Sequence, residues 1–526
     1  MAQSLVSDDL SFLRNALKLL EGEPQVHKLS TLFFERKRRF AMALKTGAQY
    51  IAEMKKMRPN VYKWGRLIED VTTDPATAAH IKNVAMWYDK SNDPKTQDLY
   101  TTISALSGKR AHRWNTLMTC PEDVRGNEDM KRDGYRSCGS CMGPVCAGWT
   151  VMNAAYGPTY DMDVELGTNY HERLKNFMMF AEEHALSMAG ALTDAKGDRS
   201  KKPNEQENDD VYLHVSKQDE KGVYLSGYKI QICGTAGAQY VMVMPTSGLK
   251  PGQEKYAIVA AIPRDAEGLT IVETRRPSDC RVEEEGWDGI KSGTTQGFLL
   301  FDNVFVPHEH VFLNGEVKYA GAILGNFTSI YRAAIGGCVA GQGDVMIGAA
   351  LGMARANGLT QKAFQDKLTQ MAINNETTYA GGLGAIYAGK QHPAGAWYPN
   401  ALLAHVNKIH VALLPWQTKQ LAQEISGGVT ETGCMPSYKD MMNPEYGPKL
   451  IESMSAAVGG EDRTKMARLV EWLTVGSGIP GCMHGGGSPD TAKAVVKGAT
   501  KWDTYVDYAR NLANVEAPLK EEKKKR

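Results

Sequence analysis

The spacing of apolar positions changes its period twice along the chain. Leu10, Leu13, Leu17 and Leu20 recur at helical spacing behind a Ser7 or Asp8 cap, which predicts a helical arm over residues 8–39. Residues 40–120 continue as helix, with charged faces and few β-branched runs. Tyr170, Leu174, Phe177, Met178 and Leu186 mark one apolar face, which predicts a helix across 160–192. A polar stretch at 193–210 follows. Between Val211 and Val311 short runs such as Y-V-M-V-M-P, Y-A-I-V-A-A-I-P and G-F-L-L-F-D-N-V-F-V-P alternate with turn residues, which predicts a small antiparallel barrel or sandwich. Past Pro307 helical spacing returns at 327–356, 361–377, 399–425, 447–457, 463–475 and 488–513.

Helices, then strands, then helices is not the alternation of a parallel α/β fold, so a Rossmann arrangement is not expected. The segment order resembles the acyl-CoA dehydrogenase architecture, an α+β fold in which a flavin lies between barrel and bundle. The expected organisation is an N-terminal arm (1–39), a helical domain (40–190), a β-barrel domain (191–311), a helical bundle (312–515) and a charged tail (516–526).

Charge narrows the classes of partner. Lys and Arg number 61 against 60 Asp and Glu, so no basic footprint for nucleic acid or anionic membrane is expected. No apolar run reaches the ~18 residues that a membrane span needs. The start, Met1 to Leu5, shows no signal-peptide pattern. A cytoplasmic location is expected, where nine cysteines are free, catalytic or metal-bound rather than paired.

Four thiols carry the most specific chemistry. Cys138 and Cys141 have C-x-x-C spacing, Cys146 follows across Gly143 and Pro144, and Cys338 lies far downstream on a helix. Such a set can wrap an iron–sulfur cluster or a zinc ion, or can pack as small hydrophobes. Cys280 and Cys434 read as packing residues. Seven residues are close to two helical turns, so Tyr331 and Cys338 share a face, with Ile335 between them.

The motifs D-M-D-V-E-L-G-T-N-Y-H-E-R (161–173), G-A-L-T-D-A-K-G-D-R-S-K-K-P (190–203), F-D-N-V-F-V-P (301–307), G-G-C-V-A-G-Q-G-D-V-M-I-G-A-A (336–350) and M-H-G-G-G-S-P (483–489) resemble the 4-hydroxybutyryl-CoA dehydratases. These enzymes belong with the 4-hydroxyphenylacetate 3-hydroxylase superfamily, and the resemblance runs from about Met42 to about Val515. It implies FAD and a [4Fe-4S] cluster, an acyl-CoA substrate, a homotetramer and anaerobic metabolism. It implies metal ligands at Cys141, Cys146 and Cys338. The family's histidine ligand is Tyr331 here, and Cys138 is the candidate replacement thiolate. Other family positions are also changed: a tyrosine is Ile335, a lysine is Val339, two glutamates are Gln296 and Gly481, and a threonine near the flavin is Cys233.

Flavin contacts are implied at Thr193, Asp194, Lys196, Gly197, Asp198 and Arg199, and at Gln423, Ser426 and Gly427 across a subunit interface. A glycine permits close backbone approach and an arginine neutralises phosphate. Tyr331, His484 and Gln296 are the candidate catalytic residues; His310 is a further candidate base, although His308 and His310 both read mainly as surface residues at the barrel exit. The expected function is an FAD- and [4Fe-4S]-dependent lyase or redox enzyme on a hydroxyacyl-CoA or enoyl-CoA. The alternatives are a flavin-dependent phenol hydroxylase without a cluster and a non-catalytic paralogue that keeps fold and cofactors.

Overall fold

The computed structural model describes residues 44–275, 286–288, 290, 296–474, 485–517 and 519. The expected arm over 8–39, Cys280, Gly481 and His484 lie outside the described residues.

The N-terminal region is helical with small strands inserted. Helix α1 (Gly47–Met54) opens on Thr46, whose hydroxyl accepts from the Gln49 amide in a capping box. Strands β1 (Val61–Lys63) and β2 (Arg66–Ile68) pair through a tight turn at Trp64 and Gly65, whose φ values of 53° and 75° suit a two-residue hairpin. Helix α2 (Ala78–Lys90) and a second hairpin, β3 (Thr101–Ile103) with β4 (Arg110–His112), follow. The expectation of continuous helix over 40–120 is therefore corrected. Helix α3 (Pro121–Cys138) starts on proline with Glu122 and Asp123 in its first turn, and stops at Gly139 in the left-handed conformation.

The single helix expected over 160–192 is also corrected. Helix α4 (Ala147–Leu166) ends at Gly167, φ 68°. Helix α5 (Tyr170–Glu183) restarts where the Asp163 carboxylate accepts from the Tyr170 and His171 amides at 2.8 and 2.9 Å. Leu186 lies beyond both helices, just before strand β5 (Met188–Ala191).

The strand region is two separate mixed sheets, and among the described residues neither closes into the expected barrel. The six-stranded sheet runs β2, β1, β10 (Leu269–Glu273), β11 (Gln296–Pro307), β7 (Gly222–Cys233), β6 (His214–Gln218). The four-stranded sheet runs β12 (Val311–Asn314), β9 (Ile258–Pro263), β8 (Tyr240–Val243), β5. The N-terminal segment enters each sheet through a parallel contact, β1 on β10 and β5 on β8. These two contacts are what a purely antiparallel reading misses.

The C-terminal part is a helical bundle. Its axis is the 40-residue α6 (Val317–Ala356), packed against α7 (Lys362–Tyr387) and α8 (Ala401–Ser426). Helices α9 (Gly447–Ser453) and α10 (Gly460–Thr474) follow. The helix expected over 488–513 divides into α11 (Pro489–Ala499) and α12 (Trp502–Leu512). By length and hydropathy α6 meets the requirement for a membrane span, contrary to expectation, but 72% of its most apolar window is buried inside the protein. It reads as the core helix of the bundle.

Four glycines explain how α6 can be so central. A Cβ on Gly337 or Gly341 would come within 2.0 Å of the Glu128 carbonyl oxygen or 2.4 Å of the Arg132 carbonyl oxygen on α3. One on Gly336 or Gly343 would strike Thr378 or Asn375 on α7. The motif G-G-C-V-A-G-Q-G thus brings three backbones together around Cys338.

Candidate functional site

Four cysteines lie on segments that approach one another: the loop after α3, the end of β7 and the middle of α6. After Cys138 the chain reverses at Gly139, and Cys141 and Cys146 follow on the loop into α4. That loop is seated on the end of β7: a Cβ on Gly143 would lie 2.6 Å from Gly234 Cα, and one on Gly234 only 2.4 Å from Pro144 Cδ. Cys233 is the last residue of β7 and pairs in register with Gln296, the first residue of β11. The Gln296 amide donates to Cys233 Sγ at 3.7 Å. Cys338 is buried on α6, its thiol donating to the Ile335 carbonyl at 3.2 Å.

These cysteines bear on one another's ionisation. A hydrogen bond to Cys233, then burial, then the neighbouring Cys233, Cys338 and Cys146 push the Cys141 thiol well up. The same Cys141–Cys233 hydrogen bond, with help from Gln296, pulls Cys233 down. Burial first, then Cys146, Cys233, Cys141 and Cys338, hold the Tyr331 hydroxyl well above the ordinary phenol range. Tyr331 and Cys338 share a face as the spacing predicts, and Ile335 packs with both.

Cys138 does not join this group. Its thiol donates to the Gly134 and Ser140 carbonyls at 3.3 and 3.5 Å, and burial pushes it up to about 11. Its charged neighbour is Lys90, and it is felt by Tyr100. The side chain stays on α3 because the left-handed Gly139 turns only the following residues away.

The donor set fits an iron–sulfur cluster by its chemistry, since cysteine thiolates are the ligands that hold such clusters. A single zinc ion instead needs its donors to converge about 2.3 Å from one point. Among the described residues no three His, Cys, Asp or Glu side chains are placed to hold one metal ion.

Around the thiols stands a wall of aromatic and charged groups. Phe327 stacks on Tyr331 at 5.3 Å between centroids, and Lys131 Nζ lies 5.7 Å over the Tyr331 ring. The glycine turn after His484 crosses the same place. A Cβ on Gly486 would lie 2.8 Å from Tyr331 Cδ1, and the Gly486 carbonyl accepts from Arg332 Nε at 2.9 Å. Arg332 also contacts His405 Nδ1 at 2.6 Å, where burial and then Arg332 press the imidazole down to about 4. His308 and His310 are remote from these contacts: His308 meets the Asp219 carbonyl and His310 packs on Phe177 and Tyr240.

Two buried residues escape a reading of the sequence alone. Lys131 is one. Glu128, three residues earlier on α3, is the other: it is fully buried and neither carboxylate oxygen has a hydrogen-bond partner. Burial raises its pKa well above the carboxylate range. The glycines opposite it, Gly336, Gly337 and Gly382, make room for its side chain; in sequence it is one more charge on a polar helix.

The segment 193–199 is a loop off β5. Asp194 is buried and paired with Lys229 at 2.7 Å, while Lys229 also donates to the Leu192 and Met244 carbonyls. Burial raises Asp194 and lowers Lys229, so desolvation outweighs their attraction. Asp194 therefore anchors the loop to β7. The Thr193 carbonyl accepts from Ile230 at 2.8 Å. Lys196 and Gly197 take left-handed conformations, φ 71° and 49°, and present Asp198 and the exposed Arg199 outward. Far along the bundle, Gln423 and Gly427 help line an open depression of about 420 Å³ at the end of α8. Ser426, beside them, is buried with an unpartnered hydroxyl.

Helices, two mixed sheets and a glycine-threaded bundle thus surround the cysteine region. Models of the 4-hydroxyphenylacetate 3-hydroxylase N-terminal and C-terminal regions match residues 46–313 and 320–514, so the chain belongs to that family. It is 32% identical over 492 residues to the 4-hydroxybutyryl-CoA dehydratase/vinylacetyl-CoA-Δ-isomerase of Clostridium aminobutyricum, covering 90% of this chain and 100% of that one. An oxygen-tolerant archaeal 4-hydroxybutyryl-CoA dehydratase from N. maritimus superposes with a TM-score of 0.87 at 32% identity, covering 92% of this chain and 97% of that one. The 4-hydroxyphenylacetate 3-monooxygenase oxygenase component of Thermus thermophilus is 26% identical, over 82% of this chain and 88% of its own. The resemblance to the dehydratases read from the motifs holds over nearly the whole chain.

Proposed function

We propose that this protein is an FAD- and [4Fe-4S]-dependent lyase acting on an acyl-CoA, removing water from a hydroxyacyl-CoA or moving the double bond of an enoyl-CoA. The observation that carries the reading is the thiol group beside Tyr331, in a chain 32% identical to a dehydratase of that chemistry along 90% of its length.

Cys141, Cys146 and Cys338 would hold the cluster. Lys196, Gly197, Asp198 and Arg199, on the loop that Thr193 and Asp194 tie down, would face the flavin, with Gln423, Ser426 and Gly427 contributing across subunits of a homotetramer. When bound, these groups supply one-electron transfer and Lewis-acid polarisation of a leaving hydroxyl, which side chains alone lack. The chain's own part is to exclude water, orient the substrate and move protons. Tyr331 is the proton-bearing group on the Cys338 face of α6: burial first, then the neighbouring cysteines, raise its pKa, so the hydroxyl stays protonated and serves as a hydrogen-bond donor. His484, next to the glycine turn that lies over Tyr331, is the second acid–base candidate. An amide does not ionise, so Gln296 serves by holding Cys233 in place.

The replacement of the family's histidine by Tyr331 favours a second reading, a flavin-dependent phenol hydroxylase without a cluster. Protein purified without oxygen and assayed for iron, acid-labile sulfide and flavin separates the readings. The assay is completed by mass-spectrometric detection of water loss from hydroxyacyl-CoA thioesters, beside oxygen uptake with reduced flavin and a phenol. Iron with water loss supports the lyase. Iron-free protein that consumes oxygen supports the hydroxylase. Cofactors without either turnover would mark a non-catalytic paralogue.

A further inference from the structure

We propose that Cys233 supplies the fourth thiolate of the cluster, completing Cys141, Cys146 and Cys338, and that Cys138 is a structural thiol outside it. This rests on the cluster reading above. The C-x-x-C spacing makes Cys138 the obvious candidate, and the structure points elsewhere. The reversal at Gly139 leaves Cys138 on the α3 surface, bonded to two carbonyls of its own segment. The loop carrying Cys141 and Cys146 lies instead directly on Cys233–Gly234, in a contact so close that neither Gly143 nor Gly234 has room for a side chain. That contact sets the segment between Cys141 and Cys146 against the strand end that carries Cys233.

Three separate chain segments thus bring four cysteines to one region of the molecule, Cys146 and Cys338 buried and Cys141 and Cys233 half-buried. Each thiol would lose its proton to solvent as its sulfur–iron bond forms, with no change in oxidation state. Gln296 then has a defined task. Its amide reaches Cys233 Sγ at 3.7 Å, and hydrogen bonds to ligand sulfurs are one of the protein's means of tuning a cluster's potential. With four thiolates available, Tyr331 is not required as a ligand and its hydroxyl is left for the substrate.

The test uses full-length protein purified without oxygen, comparing the wild type with Cys233→Ser, Cys138→Ser and Gln296→Leu. Iron, sulfide and flavin are measured per chain, with electron paramagnetic resonance of the oxidised and reduced forms. Wild type and C138S should carry equal iron and the same reduced signal. C233S should lose about a quarter or more of its iron, one iron in four, and gain a three-iron signal with flavin retained. If C233S does not fold, Q296L decides: its iron should be unchanged and its reduction potential lowered by loss of the N–H···S bond. C233S with full iron, C138S with depleted iron, or Q296L with an unshifted potential would overturn the assignment while leaving the cluster reading intact. A wild type without iron overturns both.

Discussion

Tyr331 is the residue on which the proposed chemistry turns. Phe327 and Gly486 pack against its ring, and burial, then the neighbouring cysteines, keep its hydroxyl protonated. Tyr331→Phe removes one oxygen and little volume. Turnover of the acyl-CoA substrate should fall by about 10²–10³, the range for losing a positioned hydrogen-bond donor, with iron, sulfide and flavin contents unchanged. Unchanged turnover would remove Tyr331 from the chemistry. Glu128 makes a prediction of opposite sign, on stability. Its folded-state pKa is raised by burial, so the unfolded chain ionises first as pH rises. The carboxyl therefore favours folding below the unfolded carboxylate pKa, near 4.3, and that contribution is lost as pH rises through the folded value. Glu128→Gln should raise the melting temperature at pH 7 and flatten its pH dependence. A melting curve that falls at pH 7 would show instead that the carboxylate is ionised and paired in the folded protein.

At this scale the sequence was legible where chemistry is local. The spacing of Tyr331, Ile335 and Cys338 on one helix needs only the helical repeat. The fourth thiol was not legible, because C-x-x-C spacing favours Cys138 until Gly139 turns the chain. Cys233 looks like a strand residue until that strand's end is seen beneath Gly143. Glu128 and Lys131 carry no sequence signal, since burial depends on the glycines of other helices.

At the scale of elements, α6 organises the molecule. Gly337 has a main-chain oxygen of α3 where a Cβ would be, whereas Gly348 on the same helix has nothing within 4 Å of its hypothetical Cβ. Gly348→Ala should stabilise by up to ~1 kcal/mol through helix propensity alone. Gly337→Ala gains the same propensity but overpacks a backbone contact, which costs about 1–3 kcal/mol, so the net change should be destabilising. It should also loosen the neighbouring Cys338 site and lower iron content, which G348A should not do. Thermal melting and iron assays of the two variants check both statements. Equal effects would mean that the close α3–α6 contact is not what positions Cys338. The element order was readable from the period of the apolar positions. The parallel contacts of β1 on β10 and β5 on β8 were not, because strands of three or four residues lie below what periodicity resolves. Those contacts explain why the strands form two mixed sheets rather than a barrel.

For the whole molecule, helices, sheets and bundle serve one arrangement. The sheets carry the loop at 193–199 and the strand end at Cys233, the loop between α3 and α4 carries Cys141 and Cys146, and the bundle carries Cys338 and Tyr331. The family relation fixes the fold but includes both dehydratases and hydroxylases, so relatedness alone does not choose the reaction. The thiol pocket does make that choice testable. The most direct measurement is anomalous X-ray scattering at the iron edge from crystals grown without oxygen. The account predicts a compact four-iron peak bounded by the sulfurs of Cys141, Cys146, Cys233 and Cys338, with Cys138 outside it. Flavin density with no iron signal among these thiols would contradict it and assign the chain to the hydroxylase reading.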